Sequence, residues 1–373
     1  MVLRAPHRRA LVARRSKEYN FHMITDVLKI LIPSAVAFII GILITPAVTG
    51  FLYKHKMWKK SNVKLTVDGQ AATITAKLHN DEERKTPTMG GTVVWGSVAI
   101  TTVIFWCIAH AFPNTDTGKL NYFSRNQTWL PFFILLAGGA CGLFDDYLVC
   151  RATGTYKGGG LSLKTRLIFV TLLGTLSAWW FYGKLGVDYV HIPFLGDLHL
   201  GLLFIPMFII FIVGVYSGGI IDGVDGLAGG VFAIIYAAYA VIAFSQGQID
   251  LSAYSAVVVG GLLAFLWFNI PPARFFLSET GTMALTTSLV IVAFLTKAVV
   301  PLLIIGFLLI ATSASSIIQI LSKKYRGGKK VFIVAPLHKH FQALGWPSYK
   351  VTMRYWVIGM MFAVVGVIVA LIG

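Results

Sequence analysis

The amino-acid sequence predicts an all-α, polytopic integral membrane bundle of about ten transmembrane helices, and three observations support that fold class. The 373-residue chain is 56% hydrophobic and only 13% charged, whereas a soluble domain is roughly a quarter charged. Apolar runs of about 20 residues, the length that crosses a bilayer as a helix, recur along it. Each backbone polar group in lipid needs an internal partner, which favours helices over open sheets.

Ten apolar segments account for the predicted helices. Their approximate limits are 27–53, 91–112, 129–148, 166–184, 199–217, 228–245, 253–270, 282–298, 299–321 and 351–372. Only Lys297 and Pro301 divide the eighth segment from the ninth, so this pair is the least distinctly separated. Residues 23–373 are predicted to form one membrane domain.

Basic residues are distributed unevenly, and the distribution predicts how the bundle is oriented. Although the net charge is +17, Lys and Arg concentrate in alternate connections. Eight lie in 54–90, four follow the third span, and eight follow the ninth span as far as Arg354. By the positive-inside rule these connections are cytoplasmic, which places both termini of the bundle outside. The same pattern argues against nucleic acid as the partner of this charge.

Residues 1–22 break the pattern, because six Lys or Arg would lie outside, immediately before the first span. No short apolar core with a small-residue cleavage site follows them, so a signal peptide is not predicted. Two interpretations stay open. Either Met23 is the natural start and the extension is an artefact, or the extension is a disordered basic tail.

Five acidic residues are predicted to lie at one face of the bundle, at cytoplasmic span ends or in short turns. They are Asp145, Asp146, Asp222, Asp225 and Glu279. Ionisable residues at membrane depth are costly and usually functional. Carboxylates beside glycine turns suit Mg²⁺, which takes one or two carboxylates together with substrate phosphates. Adjacent aspartates on a helix point in different directions, which allows one to meet the metal while the other accepts a proton.

Basic side chains and glycine turns are predicted to surround these acids. The basic residues are Lys85 before TPTMGG, Lys164 and Arg166 in GLSLKTRL, and His338, Lys339 and His340 in a polar loop, PLHKHF. Lysines at a rim also serve simply as topology markers, but two histidines that flank a lysine suit phosphate binding and proton transfer. Together these features predict a Mg²⁺-dependent membrane enzyme that acts on a phosphorylated substrate, with a lipid cosubstrate from the bilayer.

Five motifs in order resemble those of the phospho-N-acetylmuramoyl-pentapeptide transferase family, within the polyprenyl-phosphate N-acetylhexosamine-1-phosphate transferase superfamily. They are TPTMGG (86–91), FDDYL (144–148), DGVDGLAGG (222–230), FNIPPARFFLSETGTMAL (268–285) and PLHKHFQALGW (336–346). The resemblance implies a bacterial enzyme that transfers phospho-MurNAc-pentapeptide from UDP-MurNAc-pentapeptide to undecaprenyl phosphate, giving lipid I and UMP. It also implies Mg²⁺, a cytoplasmic-membrane location with the active site on the cytoplasmic face, and a homodimer.

The resemblance assigns roles to individual residues. Asp145 is implied as the base toward the lipid phosphate, Asp146 and Glu279 as metal ligands near the diphosphate, and His338 as the remaining catalytic residue. The residues implied in substrate binding are Thr86, Lys85, Lys164, Asp222, Gly223, Asp225, Asn269, Phe276, Lys339 and His340. Within that set the resemblance implies that the DGVDG turn lies at the nucleotide and that Phe276 stacks on uracil.

Several departures from the family pattern concern this same site. Tyr216 and Gly219 replace two asparagines that usually precede the DGVDG turn, and Val149 replaces the lysine of DDxxK. Glu279 stands in place of an aspartate, and Lys339 in place of the middle of three histidines. We hypothesise that Lys339 supplies the positive charge missing at Val149.

Three alternatives stay open on the sequence. A sister transferase that uses another UDP-sugar, such as UDP-GlcNAc, would share most of these motifs. A polytopic transporter would place its acids near the bilayer midplane and often repeat its halves, whereas the acids here are predicted at one rim. A homologue that binds the nucleotide without turnover is compatible with the departures.

Overall fold

The computed structural model describes residues 5–59, 85–113, 115, 117–153 and 159–373, with residues 5–22 described by their backbone alone. Within this part of the chain, twelve α-helices and one two-stranded sheet make up the fold. The helices are α1 (Ala5–Lys54), α2 (Gly91–Ala111), α3 (Trp129–Arg151), α4 (Leu163–Trp179), α5 (Phe204–Ser217), α6 (Leu227–Ser245), α7 (Ile249–Asn269), α8 (Ser278–Leu295), α9 (Val299–Ile305), α10 (Phe307–Tyr325), α11 (Leu337–Ala343) and α12 (Ser348–Ile372). The predicted all-α membrane fold is confirmed.

Eight helices in the described residues are long and apolar enough to cross a membrane, or nine if α9 and α10 form one span bent by 74°. The sequence predicts ten, and the difference lies in segment 166–184. There α4 ends at Trp179 after 17 residues, and a π-helical turn (Trp180–Lys184) completes the segment. The α-helix is therefore shorter than the other spans.

The basic N-terminal extension is only partly covered by the structure. Residues 1–4 lie outside the described residues, and residues 5–22 continue α1 as helical backbone.

The sheet lies between α4 and α5, at the end of α4 remote from the acidic motifs. Strand β1 (Tyr189–Ile192) pairs antiparallel with β2 (Gly196–His199). Short 3₁₀ turns complete the connections at Gly118–Leu120, Gly201–Leu203 and Gly218–Ile221.

Helices α6, α7 and α8 contribute most of the buried core, where α8 packs against α3 and α7 against α1. Fully buried tyrosines find acceptors there. Tyr236 Oη donates to the carbonyl of Leu285 at 2.8 Å, and Tyr239 Oη to that of Ala298 at 2.7 Å. An unpaired hydroxyl in such an apolar interior would cost about 1–3 kcal/mol, so these bonds also fix how the spans are aligned.

Helices α3 and α8, which carry three of the predicted acids, pack with their backbones almost in contact. A Cβ on Gly142 of α3 would lie 2.1 Å from the carbonyl oxygen of Glu279 in α8. Small residues permit this close approach between membrane helices. It brings Asp145 and Asp146 beside the first turn of α8.

Candidate active site

The first residue of α8, Ser278, links three of the sequence motifs. Its hydroxyl donates to Asp146 Oδ2 at 2.6 Å and accepts the N–H of Met89 at 2.9 Å, and its own N–H donates to Asp222 Oδ2 at 2.6 Å. The φ angle of Ser278 is +50°, in a region that residues other than glycine occupy uncommonly. TPTMGG, FDDYL and the DGVDG turn therefore converge on one strained residue.

The TPTMGG segment forms backbone hydrogen bonds with the residues that precede α8. The N–H of Gly90 donates to the carbonyl of Phe276 at 2.8 Å, and the N–H of Phe276 donates to the carbonyl of Pro87 at 2.9 Å. Phe276 is half-buried beside this pairing. At the start of the segment Lys85 is exposed and Thr86 is half-buried. Both ends of the predicted substrate-binding loop thus lie beside the start of α8.

The paired aspartates of α3 point to different neighbours. Asp146 Oδ2 accepts the Ser278 hydroxyl and, from Thr280, the N–H at 2.9 Å and the hydroxyl at 2.6 Å. Asp145 is fully buried and its Oδ1 accepts the N–H of Leu161 at 2.7 Å. Hydrogen bonds to an ionised group are roughly twice as strong as neutral ones, so both carboxylates are held in fixed orientations.

Arg166 connects two of the acids. Its Nη2 lies 3.0 Å from Asp145 Oδ2, and its Nη1 donates to Glu279 Oε1 at 2.7 Å. The other carboxylate oxygen of Glu279 accepts the hydroxyl of Tyr216 at 3.4 Å. From the sequence, Arg166 is only one of several basic residues predicted near the acids. The substrate-binding role is predicted for Lys164, which lies two residues earlier in α4 and is exposed.

The DGVDG turn is held between α11 and the end of α7. Lys339 Nζ donates to the carbonyl of Gly223. Asn269 accepts the N–H of Gly226 at 2.9 Å through Oδ1, and its Nδ2 donates to the carbonyl of Phe275 at 2.7 Å. Asn269, predicted to bind substrate, thus uses both ends of its amide to hold the turn.

The other acid of the turn, Asp225, is half-buried. Its Oδ2 accepts the N–H of Ala273 at 3.1 Å, and its backbone carbonyl accepts the hydroxyl of Thr352 at 2.9 Å. These bonds tie the turn to the connection after α7 and to α12.

The HKH triplet lies on the short helix α11, so its prediction as a loop is wrong. Helix α11 packs between α10 and α12, which leaves His338 1% and Lys339 6% exposed. A Cβ on Gly223 would lie 2.6 Å from His338 Nε2, so His338 touches the DGVDG turn. His340 is half-buried, and its Nδ1 accepts the N–H of Ile333 at 3.3 Å.

Burial changes the protonation of two site residues that lie outside the spans. Burial raises the pKa of Asp222 to about 6, although the Ser278 N–H and the charge of Lys59 oppose the rise. Burial, together with the neighbouring charge of Lys339, lowers the pKa of His338 to about 3. His338 is therefore neutral at pH 7, and Asp222 takes up a proton more readily than an exposed aspartate.

The two predicted Mg²⁺ ligands, Asp146 and Glu279, lie on either side of the start of α8. Within the described residues, no group of three or more His, Cys, Asp or Glu side chains forms a metal-binding cluster. Mg²⁺ needs only one or two protein carboxylates when phosphates and water complete its shell. Asp145 Oδ2 is a further buried oxygen nearby, paired with the Arg166 guanidinium at 3.0 Å. The two carboxylates of Asp146 and Glu279 are thus enough to fit the ion.

Three features of the site are not predicted from the sequence: the contacts of Ser278, those of Thr280, and the bridging position of Arg166. Ser278 and Thr280 flank Glu279 in the sequence, and hydroxyl side chains at a helix start are common partners for nearby polar groups. Their position beside a predicted ligand is the signal that identifies them. For Arg166 no such signal exists, because Lys164 and Arg166 share one helix start and only the packing of α4 separates their roles.

Known proteins are similar to this chain over about nine tenths of its length. The model of the Glycosyl transferase family 4 matches residues 128–298. A phospho-N-acetylmuramoyl-pentapeptide-transferase of Anoxybacillus flavithermus (strain DSM 21510 / WK1) is 33% identical over 341 residues, 91% of this chain and 97% of that protein. Proteins of the same name from Listeria monocytogenes serovar 1/2a (strain ATCC BAA-679 / EGD-e) and Bacillus subtilis (strain 168) are each 31% identical, over 339 and 342 residues. These two alignments cover 90% and 91% of this chain and 97% of each relative.

Proposed function

This chain belongs to the phospho-N-acetylmuramoyl-pentapeptide transferase family, and we propose that it transfers phospho-MurNAc-pentapeptide from UDP-MurNAc-pentapeptide to undecaprenyl phosphate. The products are lipid I and UMP. The chain is a multi-pass membrane protein by the length and composition of its helices. Its site lies on the cytoplasmic face of the bacterial inner membrane, a placement supported by the basic connections beside the acidic motifs.

The observation that carries the proposal is the convergence on Ser278. Acids from α3 and from the DGVDG turn, and the backbone of TPTMGG, all bond to this one residue. These groups come from connections far apart in the sequence. A purely structural contact at Ser278 would not require two carboxylates, Asp146 and Asp222, because each ionised carboxylate is expensive to bury.

In the proposed reaction, a phosphate oxygen of undecaprenyl phosphate attacks the β-phosphorus of the UDP-sugar. The bond from that phosphorus to the oxygen it shares with UMP breaks, and UMP leaves with the electron pair. Asp145 is the acceptor for a proton on the attacking phosphate. When bound, Mg²⁺ would offset the charge on the transferring phosphoryl group, and Asp146 and Glu279 would hold it.

The remaining residues orient the substrate. The DGVDG turn presents Asp222 and Asp225 toward the nucleotide, and Lys339 fixes the turn through the carbonyl of Gly223. Neutral His338 lies against that turn, where its imidazole would serve as a hydrogen-bond partner for a phosphate. Phe276 is half-buried beside the TPTMGG pairing, where its ring is available for a uracil base.

The direct test is UMP release by the purified protein, with UDP-MurNAc-pentapeptide, polyprenyl phosphate and Mg²⁺ added or omitted singly. We expect release only when all three are present. Faster release from UDP-GlcNAc would instead identify the sister transferase. No release from either sugar, with the nucleotide still bound, would identify a homologue without turnover.

A further inference from the structure

Arg166 occupies the space between two acids that the proposed reaction uses. We propose that its guanidinium is an exchangeable counter-ion, which holds Asp145 and Glu279 in the metal-free protein and gives way to a divalent cation on loading. This inference deepens the proposed function, and it rests on that function for the role of the cation. Arg166 is a positioning residue in this scheme, since it acts through the two carboxylates.

The contacts of Arg166 divide its two terminal nitrogens between two helices. Nη1 bonds to Glu279 Oε1 at 2.7 Å, and Nη2 pairs with Asp145 Oδ2 at 3.0 Å. Glu279 Oε1 accepts the guanidinium N–H, and Oε2 accepts the Tyr216 hydroxyl at 3.4 Å. A metal ion on this carboxylate would therefore lie close to the guanidinium, and the two positive charges would repel each other. A divalent cation at Glu279 therefore competes directly with Arg166.

Charge balance explains why an arginine is present at all. Asp145, Asp146 and Glu279 lie close enough to repel one another, and Arg166 is the cation that directly contacts two of them. Without a positive charge the acids would not keep their positions, since like charges in a partly buried site strongly disfavour joint ionisation. The Arg166 side chain is 21% exposed, so the acids do not enclose it completely.

The backbone around Arg166 fixes the point from which its side chain extends toward the acids. Ser162 caps α4, its Oγ accepting the N–H of Thr165 at 3.2 Å, and the side chain of Arg166 follows one residue later. A Cβ on Gly160 would lie 3.0 Å from Asp145 Oδ1 and 3.1 Å from Arg166 Nη2. Gly160, just before α4, thus lies against the acids, and the guanidinium reaches both of them from the first turn of the helix.

Exchange would connect metal loading to the exposure of the base. Asp145 is fully buried, and Arg166 covers its Oδ2. Once a cation takes Glu279, Arg166 loses its stronger hydrogen bond and no longer bridges the two acids. Asp145 then becomes accessible to the lipid phosphate only in the loaded protein, which would suppress premature proton uptake.

The test measures metal affinity without substrate. Binding of Mn²⁺, followed by the electron paramagnetic resonance of the free ion, is compared for the wild type, Arg166→Gln, Arg166→Lys and Lys184→Gln in detergent. Arg166→Gln is expected to bind Mn²⁺ about tenfold more tightly, the equivalent of one charge-assisted hydrogen bond no longer broken. Lys184→Gln removes the same charge at the end of the π-helical turn after α4. Its Mn²⁺ affinity is expected to match that of the wild type.

Thermal unfolding supplies a second readout. The metal-free midpoint of Arg166→Gln is expected to fall below that of the wild type, and Mg²⁺ is expected to raise it by more than it raises the wild type. Arg166→Lys keeps the charge but cannot bridge two carboxylates. It is expected to bind Mn²⁺ about threefold more tightly, and it serves if the neutral variant does not fold.

Unchanged or weaker Mn²⁺ binding by Arg166→Gln would overturn the exchange, and so would a wild type that binds no Mn²⁺. UMP release by the wild type is measured in parallel. If release fails while the Mn²⁺ pattern holds, the proposed function fails and the exchange stands. If release succeeds and the pattern is absent, only the exchange fails.

Discussion

The hydroxyl oxygen of Ser278 lies 2.6 Å from Asp146 Oδ2, so the first residue of α8 is bonded directly to the second acid of the FDDYL motif. The same hydroxyl accepts the N–H of Met89. One side chain therefore sets the position of a predicted metal ligand relative to the substrate-binding loop, and a change to it should affect chemistry more than folding.

Replacing Ser278 by alanine removes the donor to Asp146 and the acceptor for Met89. We expect kcat for UMP release to fall by about ten- to a hundredfold, because a small displacement of a reacting group is costly. The free energy of unfolding should fall by only about 1–3 kcal/mol for the unpaired groups. Ser217→Ala is the control, since that exposed hydroxyl bonds to Gly214 within its own helix. Equal kcat in both variants would contradict the role of Ser278.

Replacing Gly142 by alanine should separate α3 from α8. The new methyl group would meet the carbonyl oxygen of Glu279 at 2.1 Å, so we expect a strong loss of folded protein or, where it folds, of UMP release. Gly214→Ala, with no atom within 4 Å of its added Cβ, should leave both unchanged. The measurements are the yield of monodisperse protein and kcat. Normal values for Gly142→Ala would mean that the helices are not packed as described.

Replacing Glu279 by glutamine keeps its size but removes its charge. We expect turnover to fall by at least about a hundredfold, because charge stabilisation at the reacting phosphate is usually a dominant contribution, with the protein still inserted. Asp145→Asn and His338→Ala should behave alike. Asp250→Asn, which breaks an ion pair with Lys29, tests the effect of losing any acid. Near-normal turnover in a site variant would remove that residue from the site.

His338 should make the folded protein sensitive to acid. Its pKa is about 3 when folded, compared with about 6.5 for an exposed histidine. Between these values the unfolded chain binds a proton that the folded chain does not, so stability falls as the pH falls through this window. The loss is at most about 1.4 kcal/mol per pH unit. We expect His338→Gln to lose less thermal stability than the wild type between pH 7 and pH 5.

Two comparisons make that pH prediction specific. Asp222 acts in the opposite direction, because its raised pKa favours the folded state at low pH and that contribution is lost as the pH rises through about 6. Asp222 is present in every variant, so its effect cancels. His199→Gln, which alters an exposed histidine in the sheet, should keep the wild-type dependence. An identical pH dependence for His338→Gln would show that His338 titrates normally.

Replacing Lys339 by methionine removes its hydrogen bond to Gly223 while keeping most of its length. We expect KM for the UDP-sugar to rise more than kcat falls, because the DGVDG turn loses a contact that holds it. Lys339→His tests the hypothesis that Lys339 replaces the charge missing at Val149, and it should retain more activity than Lys339→Ala. Full activity in both the histidine and the alanine variants would end that hypothesis.

Much of the fold can be predicted from hydropathy, because a chain that crosses lipid must satisfy its backbone hydrogen bonds internally and therefore forms helices. The division predicted at Lys297 corresponds to the gap between α8 and α9, whereas Pro301 lies in the first turn of α9. The bend of α9 against α10 had no sequence signal of comparable strength. In segment 166–184 the α-helix ends at Trp179 and a π-helical turn continues to Lys184, a change of helix geometry that hydropathy does not reveal.

The site was less predictable, for reasons of geometry. The acids stand out because they are rare in such a chain. The partner of each acid depends on how spans pack, and neighbours in sequence such as Lys164 and Arg166 differ only in the direction they face. His338 and Lys339 read as a solvated loop because polar triplets usually are, whereas tertiary contacts with α10 and α12 bury them.

The backbone contact at Gly142 has a consequence beyond this chain's own stability. Because α3 and α8 touch at this glycine, two helices fix the spacing between the paired aspartates and Glu279. No flexible loop lies between them that could change this spacing. An inhibitor whose charged groups match that fixed spacing would be hard to evade by substitution in this region, because a bulkier residue at the touching point would disable the enzyme along with the drug site.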